Sequence, residues 1–467
     1  MQQQQNAPSC TGRPLKLKRA TQIAIASAAF ALLAACGGGD NNSSSSSNAS
    51  STTPAGVNMQ VVAFGTSLTD AGTYSQIRLG FGGGRFTTNP GEVWAQKVSE
   101  YFGNSLTPAF EGGFGLPLSA TGGLDYAQGG AMVSKGGVSN TSAPIPAASQ
   151  QPVTWQVAQY LQQHGSFNAN QLVLVEGGAN EILALLDNNG AGLTAFGKAL
   201  AATPFSMLVA DPATQQQTVT SLMSQGFTAS QAQALVPAAI ALQIITTDPN
   251  ASTDFASVMP IITAAGTLAT LVNTQIAGAP KTAVMTVPDI GKTPAAVMAD
   301  ASVNATPGSA NAPDRALSLI SAVYNLALLK GLAPSIAAKK VVPIDAFSWL
   351  DQSVLNAAAL GFSVTNTGTA CNIAQMQTNA TNYALANPQA TLGLPSSTPA
   401  PVLTAAAQAY GSHFGTSLFC SPQTLTTANA PTTYMFADLF HPTTALHGQF
   451  AQYVETQIAA AGIGKAP

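Results

Sequence analysis

Four short, largely apolar runs punctuate this chain, at 60–64, 172–175, 282–287 and 341–344. Their length and freedom from polar alternation are those of strands buried on both faces. Between them lie longer stretches of helical character, at 92–102, 153–163, 316–332 and 443–461. Strands alternating with helices predict an α/β fold, a parallel sheet covered by helices on both faces. Ligand sites in such sheets gather at the carboxyl ends of the strands, and Ser67 and Asn180 both follow expected strand ends. One region breaks the alternation. From about 187 to 274 the chain is nearly free of charge and helix-prone, interrupted by Pro237 and Pro260, and it reads as a helical insertion. Its functional use would be a lid or acyl-chain wall; its commoner use is added core, because apolar helices are usually buried. No internal repeat of solenoid period is present.

The first 35 residues have a different logic. Arg13, Lys16, Lys18 and Arg19 precede an apolar run from Ile23 to Ala35 that is short for a membrane-spanning helix. The run ends Leu33-Ala34-Ala35-Cys36-Gly37, which resembles a bacterial lipobox, with residues 1–35 as signal peptide and Cys36 as the lipidated residue. An ordinary secretory signal with a coincidental cysteine is the competing reading. Residues 36–56, rich in Ser, Asn, Gly and Thr, form an expected flexible linker that cannot bury apolar surface. A folded domain at 57–467 would thus be held off a membrane face by a lipid anchor. Gly37 rather than Asp after the cysteine points, in a Gram-negative lipoprotein, to the outer membrane.

Composition sharpens this picture. Without the signal, 12 Lys and Arg stand against 19 Asp and Glu, a net charge of −7, so no basic surface is on offer and nucleic acid is not an expected partner. Only 7% of residues are charged, against an ordinary share of about a quarter, which makes each ionisable side chain more informative. Of four cysteines, Cys371 and Cys420 remain in the folded part. In an exported protein they read as one disulfide, with two buried thiols as the alternative.

The chemistry concentrates in two places. Val61-Val62-Ala63-Phe64-Gly65-Thr66-Ser67-Leu68-Thr69-Asp70 puts a serine on a sharp turn leaving an apolar strand, and Asp438-Leu439-Phe440-His441-Pro442 puts an acid three residues before a histidine. A serine hydroxyl is a poor nucleophile until a histidine takes its proton and a carboxylate orients that histidine. Taken singly, Ser67 could cap a helix and Asp438 with His441 could be a capping pair. His164, His413 and His447 lack a comparably placed acid and read as structural or solvated. Two Gly-rich segments, Asp125-Tyr126-Ala127-Gln128-Gly129-Gly130-Ala131 and Gly177-Gly178-Ala179-Asn180, could supply donors to an oxyanion, although such segments are usually just turns. Neither a His-Glu-x-x-His nor a Cys-x-x-Cys occurs, so the expected chemistry needs no metal or cofactor.

In order along the chain, Ser67, Gly130, Asn180 and His441 resemble the four blocks of the SGNH, or GDSL, hydrolases. Val287-Pro288-Asp289-Ile290-Gly291-Lys292-Thr293-Pro294 and Leu418-Phe419-Cys420-Ser421-Pro422 extend the resemblance toward the bacterial branch of secreted esterases, lipases and phospholipases. The resemblance implies a flavodoxin-like three-layer α/β/α sandwich acting on an ester or lipid. It assigns Ser67 as nucleophile, Asp438 and His441 as its partners, and the Ser67 N–H, Gly130 N–H and Asn180 side chain as the oxyanion hole. A phospholipase, an acyltransferase or a carbohydrate deacetylase would use the same residues, and a surface lipoprotein with a decayed site is the reading of another class. Two positions depart from the family pattern: its usual Asp before the serine is Thr66 here, and the Asp after the block asparagine is Glu181. Some relatives carry an autotransporter barrel after the last block; this chain ends about 25 residues beyond Pro442, so the lipid anchor is expected in its place.

Overall fold

A computed structural model describes residues 59–77, 84–113, 116–135, 150–309 and 312–464. The expected signal segment at 1–35, Cys36 and the linker at 36–56 lie outside the described residues. The strands in chain order are β1 (Gln60–Phe64), β2 (Phe110–Gly113), β3 (Leu116–Ala120), β4 (Gln171–Val175), β5 (Lys281–Met285) and β6 (Val341–Ile344). Four of them form one sheet in the order β1-β4-β5-β6, every pair parallel, and β2 and β3 form a separate antiparallel hairpin. The four expected strands are therefore present to within a residue or two. The hairpin was not anticipated: Gly112, Gly113 and Pro117 make it read as a turn region.

Side chains along the sheet alternate between two apolar layers. Val62, Phe64, Val173 and Val175 face one layer, built with helices Val153–His164, Met259–Leu271 and Pro313–Ala337. Val61, Ala63, Leu172, Leu174 and Met285 face the other, with Trp94–Tyr101 and Thr444–Ala460. Because both faces are covered, the strands carry continuous apolar runs instead of alternating ones. Pro313–Ala337 is long and apolar enough to cross a membrane, yet Leu317, Ile320, Val323 and Leu328 along it are fully buried against the sheet. It is a core helix.

Beside the free edge of β1 runs the segment 124–128, bonded like a further parallel strand: Ala63 N–H donates to Leu124 (3.0 Å), Tyr126 N–H to Ala63 (2.8 Å) and Gln128 N–H to Gly65 (3.2 Å). This docks the first Gly-rich segment next to the turn that carries Ser67.

The insertion is helical, as expected. Pro237 and Pro260 fall in the first turns of Val236–Thr247 and Met259–Leu271, where a missing N–H costs nothing. Its Leu193, Phe196, Leu222, Ile245 and Leu268 join the same apolar layer as the sheet. A cavity of about 1570 Å³ lies among the insertion, helix Pro313–Ala337 and the loops after β5 and β6.

Candidate active site

The Ser67 turn is held from three sides. β1 ends at Phe64, and the turn closes through N–H groups of Thr69 and Asp70 donating to the Thr66 carbonyl, both at 3.1 Å. Gln156, from helix Val153–His164, clamps the Gly65 peptide on both edges: its Oε1 accepts from Gly65 N–H (2.8 Å) and its Nε2 donates to Gly65 O (2.9 Å). Glu176, immediately after β4, accepts from the Thr66 N–H and from Thr66 Oγ1 (3.1 Å). A Cβ on residue 65 would overlap the Glu176 carboxyl, so the glycine is required by close approach.

His441 arrives from the far end of the chain. Its Nε2 lies 2.8 Å from Ser67 Oγ, and its Nδ1 lies 2.8 Å from Asp438 Oδ2. The Asp438 carboxylate also accepts from the N–H groups of Ser417 (2.7 Å), Phe440 (2.8 Å) and His441 (2.7 Å). Burial raises the Asp438 pKa, but the adjacent imidazole and these donors outweigh it and bring it down to about 2. An ionised Asp438 fixes the proton on Nδ1 and leaves Nε2 free to accept from the serine hydroxyl. The turn precedes the last helix instead of starting it; the cap of Thr444–Ala460 is Thr443. The Phe86 ring backs the imidazole at a centroid distance of 5.0 Å.

Asn180 lies at the start of helix Ala179–Leu183, and its amide donates to the Ala131 carbonyl (2.7 Å), tying the two Gly-rich segments together. Its second N–H is left for another acceptor. The helix begins from Gly178 at φ 106°, where a side chain would also collide with the Tyr324 ring. Gly130, at φ 79°, is likewise a position for glycine. Among the described residues, the backbone N–H groups of Ser67 and Gly130 make no hydrogen bond. Ser67, Asn180 and His441 line one cleft of about 70 Å³, walled by Trp94, Met285, Trp349, Phe436, Phe440 and Phe450. Gly130 does not line it; its neighbour Ala131 is joined to the cleft residue Asn180 through the carbonyl that accepts the Asn180 amide. Among the described residues none from 187–274 lines the cleft either, so the insertion is placed as added core and not as a wall of this site.

A layer of buried acids beneath the site was not legible in the sequence. Asp70 accepts from Gly72 (2.8 Å), Thr73 (2.7 Å) and Gly129 (2.9 Å), which fastens the Ser67 turn to the first Gly-rich segment. Asp125 accepts from Ala71 and Ala127. Burial raises the Asp70 pKa to about 6 and that of Glu176 to about 7; burial, then the neighbouring Asp70 charge, raises that of Asp125. Asp70 closes the Ser67 motif, Asp125 opens the first Gly-rich segment and Glu176 directly precedes the second, and that adjacency was the only available signal.

The other histidines stay apart from this constellation. His447 is buried, its Nδ1 accepting from Trp94 N–H (3.3 Å), and burial with the His441 charge lowers its pKa to about 3. His164 is exposed beside the Tyr126 hydroxyl (3.1 Å), and the His413 side chain lies outside the described residues. Cys371 and Cys420 form a disulfide, with Cα atoms 5.6 Å apart. Among the described residues no group of three His, Cys, Asp or Glu side chains is placed to hold a metal. Compared with known proteins, the chain matches no family model and no curated protein.

Proposed function

We propose that the protein is a serine hydrolase of the SGNH type, with the flavodoxin-like sandwich that this implies, cleaving carboxylic esters through an acyl-enzyme. The observation that carries the reading is the chain Ser67 Oγ, His441 Nε2, His441 Nδ1, Asp438 Oδ2, with 2.8 Å at each of its two hydrogen bonds. Ser67 attacks the ester carbonyl while His441 takes its proton and Asp438 stabilises the imidazolium. The oxyanion is held by the Ser67 N–H, the free N–H of Asn180 and the Gly130 N–H. His441 then protonates the leaving alcohol and activates the water that frees the acyl group.

The cleft favours a short acyl chain. About 70 Å³ between aromatic walls is far below the roughly 300–1,000 Å³ of sites enclosing drug-sized ligands. Its apolar walls speak for an alkyl acyl group over the polar groove a carbohydrate deacetylase would use, and a phospholipase or long-chain lipase would need the cleft to widen. A lipid anchor on Cys36 belongs to the same proposal and would place the domain at a membrane face.

Wild type and Ser67→Ala are to be assayed on p-nitrophenyl esters of two to sixteen carbons and on phosphatidylcholine. Turnover that is greatest on the shortest esters, with a loss on the order of 10⁶-fold in kcat for Ser67→Ala, is expected. Equal rates for the two proteins would exclude Ser67 as nucleophile, and no turnover of any ester by wild type would favour the decayed binding module.

A further inference from the structure

We propose that Glu176 is a positioning residue for the Ser67 turn and that, by gaining or losing its own proton, it tunes the reactivity of Ser67. The proposal rests on the hydrolase reading above. Glu176 holds the residue directly before the nucleophile by two bonds, from the Thr66 N–H and the Thr66 hydroxyl, and its carboxyl fills the space that glycine leaves at position 65. A threonine is suited to this partner. Its hydroxyl donates to a carboxylate and accepts from a carboxylic acid, so the turn stays held in both protonation states. An aspartate at 66 would instead set two carboxyls against each other.

The ionisable groups facing Glu176 are Glu181 on helix Ala179–Leu183, Asp125 in the segment beside β1, and Tyr324 on helix Pro313–Ala337. None of these carries a positive charge, while Lys135 acts on Glu181. Burial first, then the Glu181 charge, opposes ionisation and brings the pKa to about 7. Below that pH the support is a neutral acid. Above it a negative charge sits one residue from the Ser67 N–H, where the transition state also accumulates negative charge, and the two repel.

Glu176→Gln keeps the shape of the neutral form, Glu176→Ala removes the support, and Thr66→Asp introduces the clash. The first readout is kcat and kcat/KM on a short p-nitrophenyl ester from pH 5 to 9.5. Glu176→Ala is expected to lose about 10- to 100-fold in kcat with KM little changed, the cost of a misplaced nucleophile. Glu176→Gln keeps the wild-type rate at low pH and loses the alkaline decline. Thr66→Asp loses at least about tenfold, and adding Glu176→Gln restores most of it. A pH profile of Glu176→Gln superimposable on that of wild type, or a Glu176→Ala rate equal to wild type, overturns the proposal.

The second readout needs no turnover. A folded-state pKa raised from 4.5 to about 7 means that stability present below about pH 4.5 is lost as pH rises through about 7. Wild type should therefore lose melting temperature across that window by more than Glu176→Gln. Identical melting profiles refute the titration of Glu176 even if no ester is turned over, and failure of the hydrolase reading alone leaves the melting difference in place.

Discussion

Asp438 and Glu176 are equally buried, each 2% exposed, and each supports the turn that carries one member of the Ser67–His441 pair. Burial alone would push both carboxyls toward the neutral form. For Asp438 the imidazole and three backbone N–H groups reverse that push, and it stays ionised to about pH 2. Glu176 has one backbone N–H and one hydroxyl, faces other acids, and titrates near 7. The contrast shows what decides the charge of a buried acid: not depth, and not donors alone, since Asp70 with three backbone donors is still raised to about 6, but the adjacent imidazole. It also divides the labour. On the proposed hydrolase reading, a permanent charge orients the base, and a switchable one supports the nucleophile.

Breaking the permanent charge is the harshest test of this contrast. Asp438→Asn keeps the shape of the side chain but offers His441 Nδ1 the wrong hydrogen-bonding partner, and kcat on a short ester should fall about 10⁴-fold. Stability should respond with the opposite sign to that expected for Glu176. A pKa lowered from 3.8 to about 2 contributes stability that is present above about pH 3.8 and lost as pH falls through about 2, on the order of 2 kcal/mol. Melting curves from pH 2 to 6 should show that acid-side loss in wild type and its absence in Asp438→Asn. An unchanged acid limb would mean that the charge of Asp438 has no structural partner.

The two halves also differ in how much of them could be read beforehand. Asp438 and His441 sit three residues apart, so one turn brings them together and the pairing is visible in the chain. The strands were visible too, because Val61–Phe64 and Leu172–Val175 are continuous apolar runs. Glu176 and Gln156 approach Thr66 and Gly65 across 110 and 91 residues respectively, and nothing local marks them. Glu176 reads as the polar end of a strand, Gln156 as one of several glutamines on an amphipathic helix. Their role exists only once β4 lies beside β1. The insertion shows the same limit from the other side: its apolar pattern predicted helices, but only the packed core separates buried layer from lid.

The disulfide tests whether the support of Asp438 extends outward. Cys420 follows Ser417 by three residues; Ser417 N–H binds Asp438, and its carbonyl accepts from Asn89 Nδ2 at 2.9 Å. Replacing Cys371 and Cys420 by Ala opens a loop of 49 residues and should cost about 4 kcal/mol in the chain-entropy model. Denaturant melts of the double variant check this. With the segment fixed by Phe419 and Leu418 in its own apolar cluster, kcat well below the melting transition should be close to wild type. A large drop in kcat without unfolding would show that the bridge itself sets the geometry of Asp438.

The mildest test compares two histidines. His447 lines the same cleft as His441, and position alone does not tell the two apart. What separates them is the partner: Nδ1 of His441 meets a carboxylate, whereas Nδ1 of His447 accepts from a backbone N–H at the start of helix Trp94–Tyr101. An acceptor nitrogen must be unprotonated, in keeping with a pKa near 3. His447→Asn presents an oxygen to the same N–H and should leave kcat and its pH profile unchanged. The unfolded chain binds a proton at His447 below pH 6.5 that the folded one refuses, so wild type loses stability as pH falls from 6.5 toward 3, about 2 kcal/mol of it by pH 5. The variant should be spared that loss, and melting temperatures at pH 7 and pH 5 measure it. A fall in kcat on the acidic side that vanishes with His447→Asn would give this histidine a share in the chemistry and dissolve the distinction.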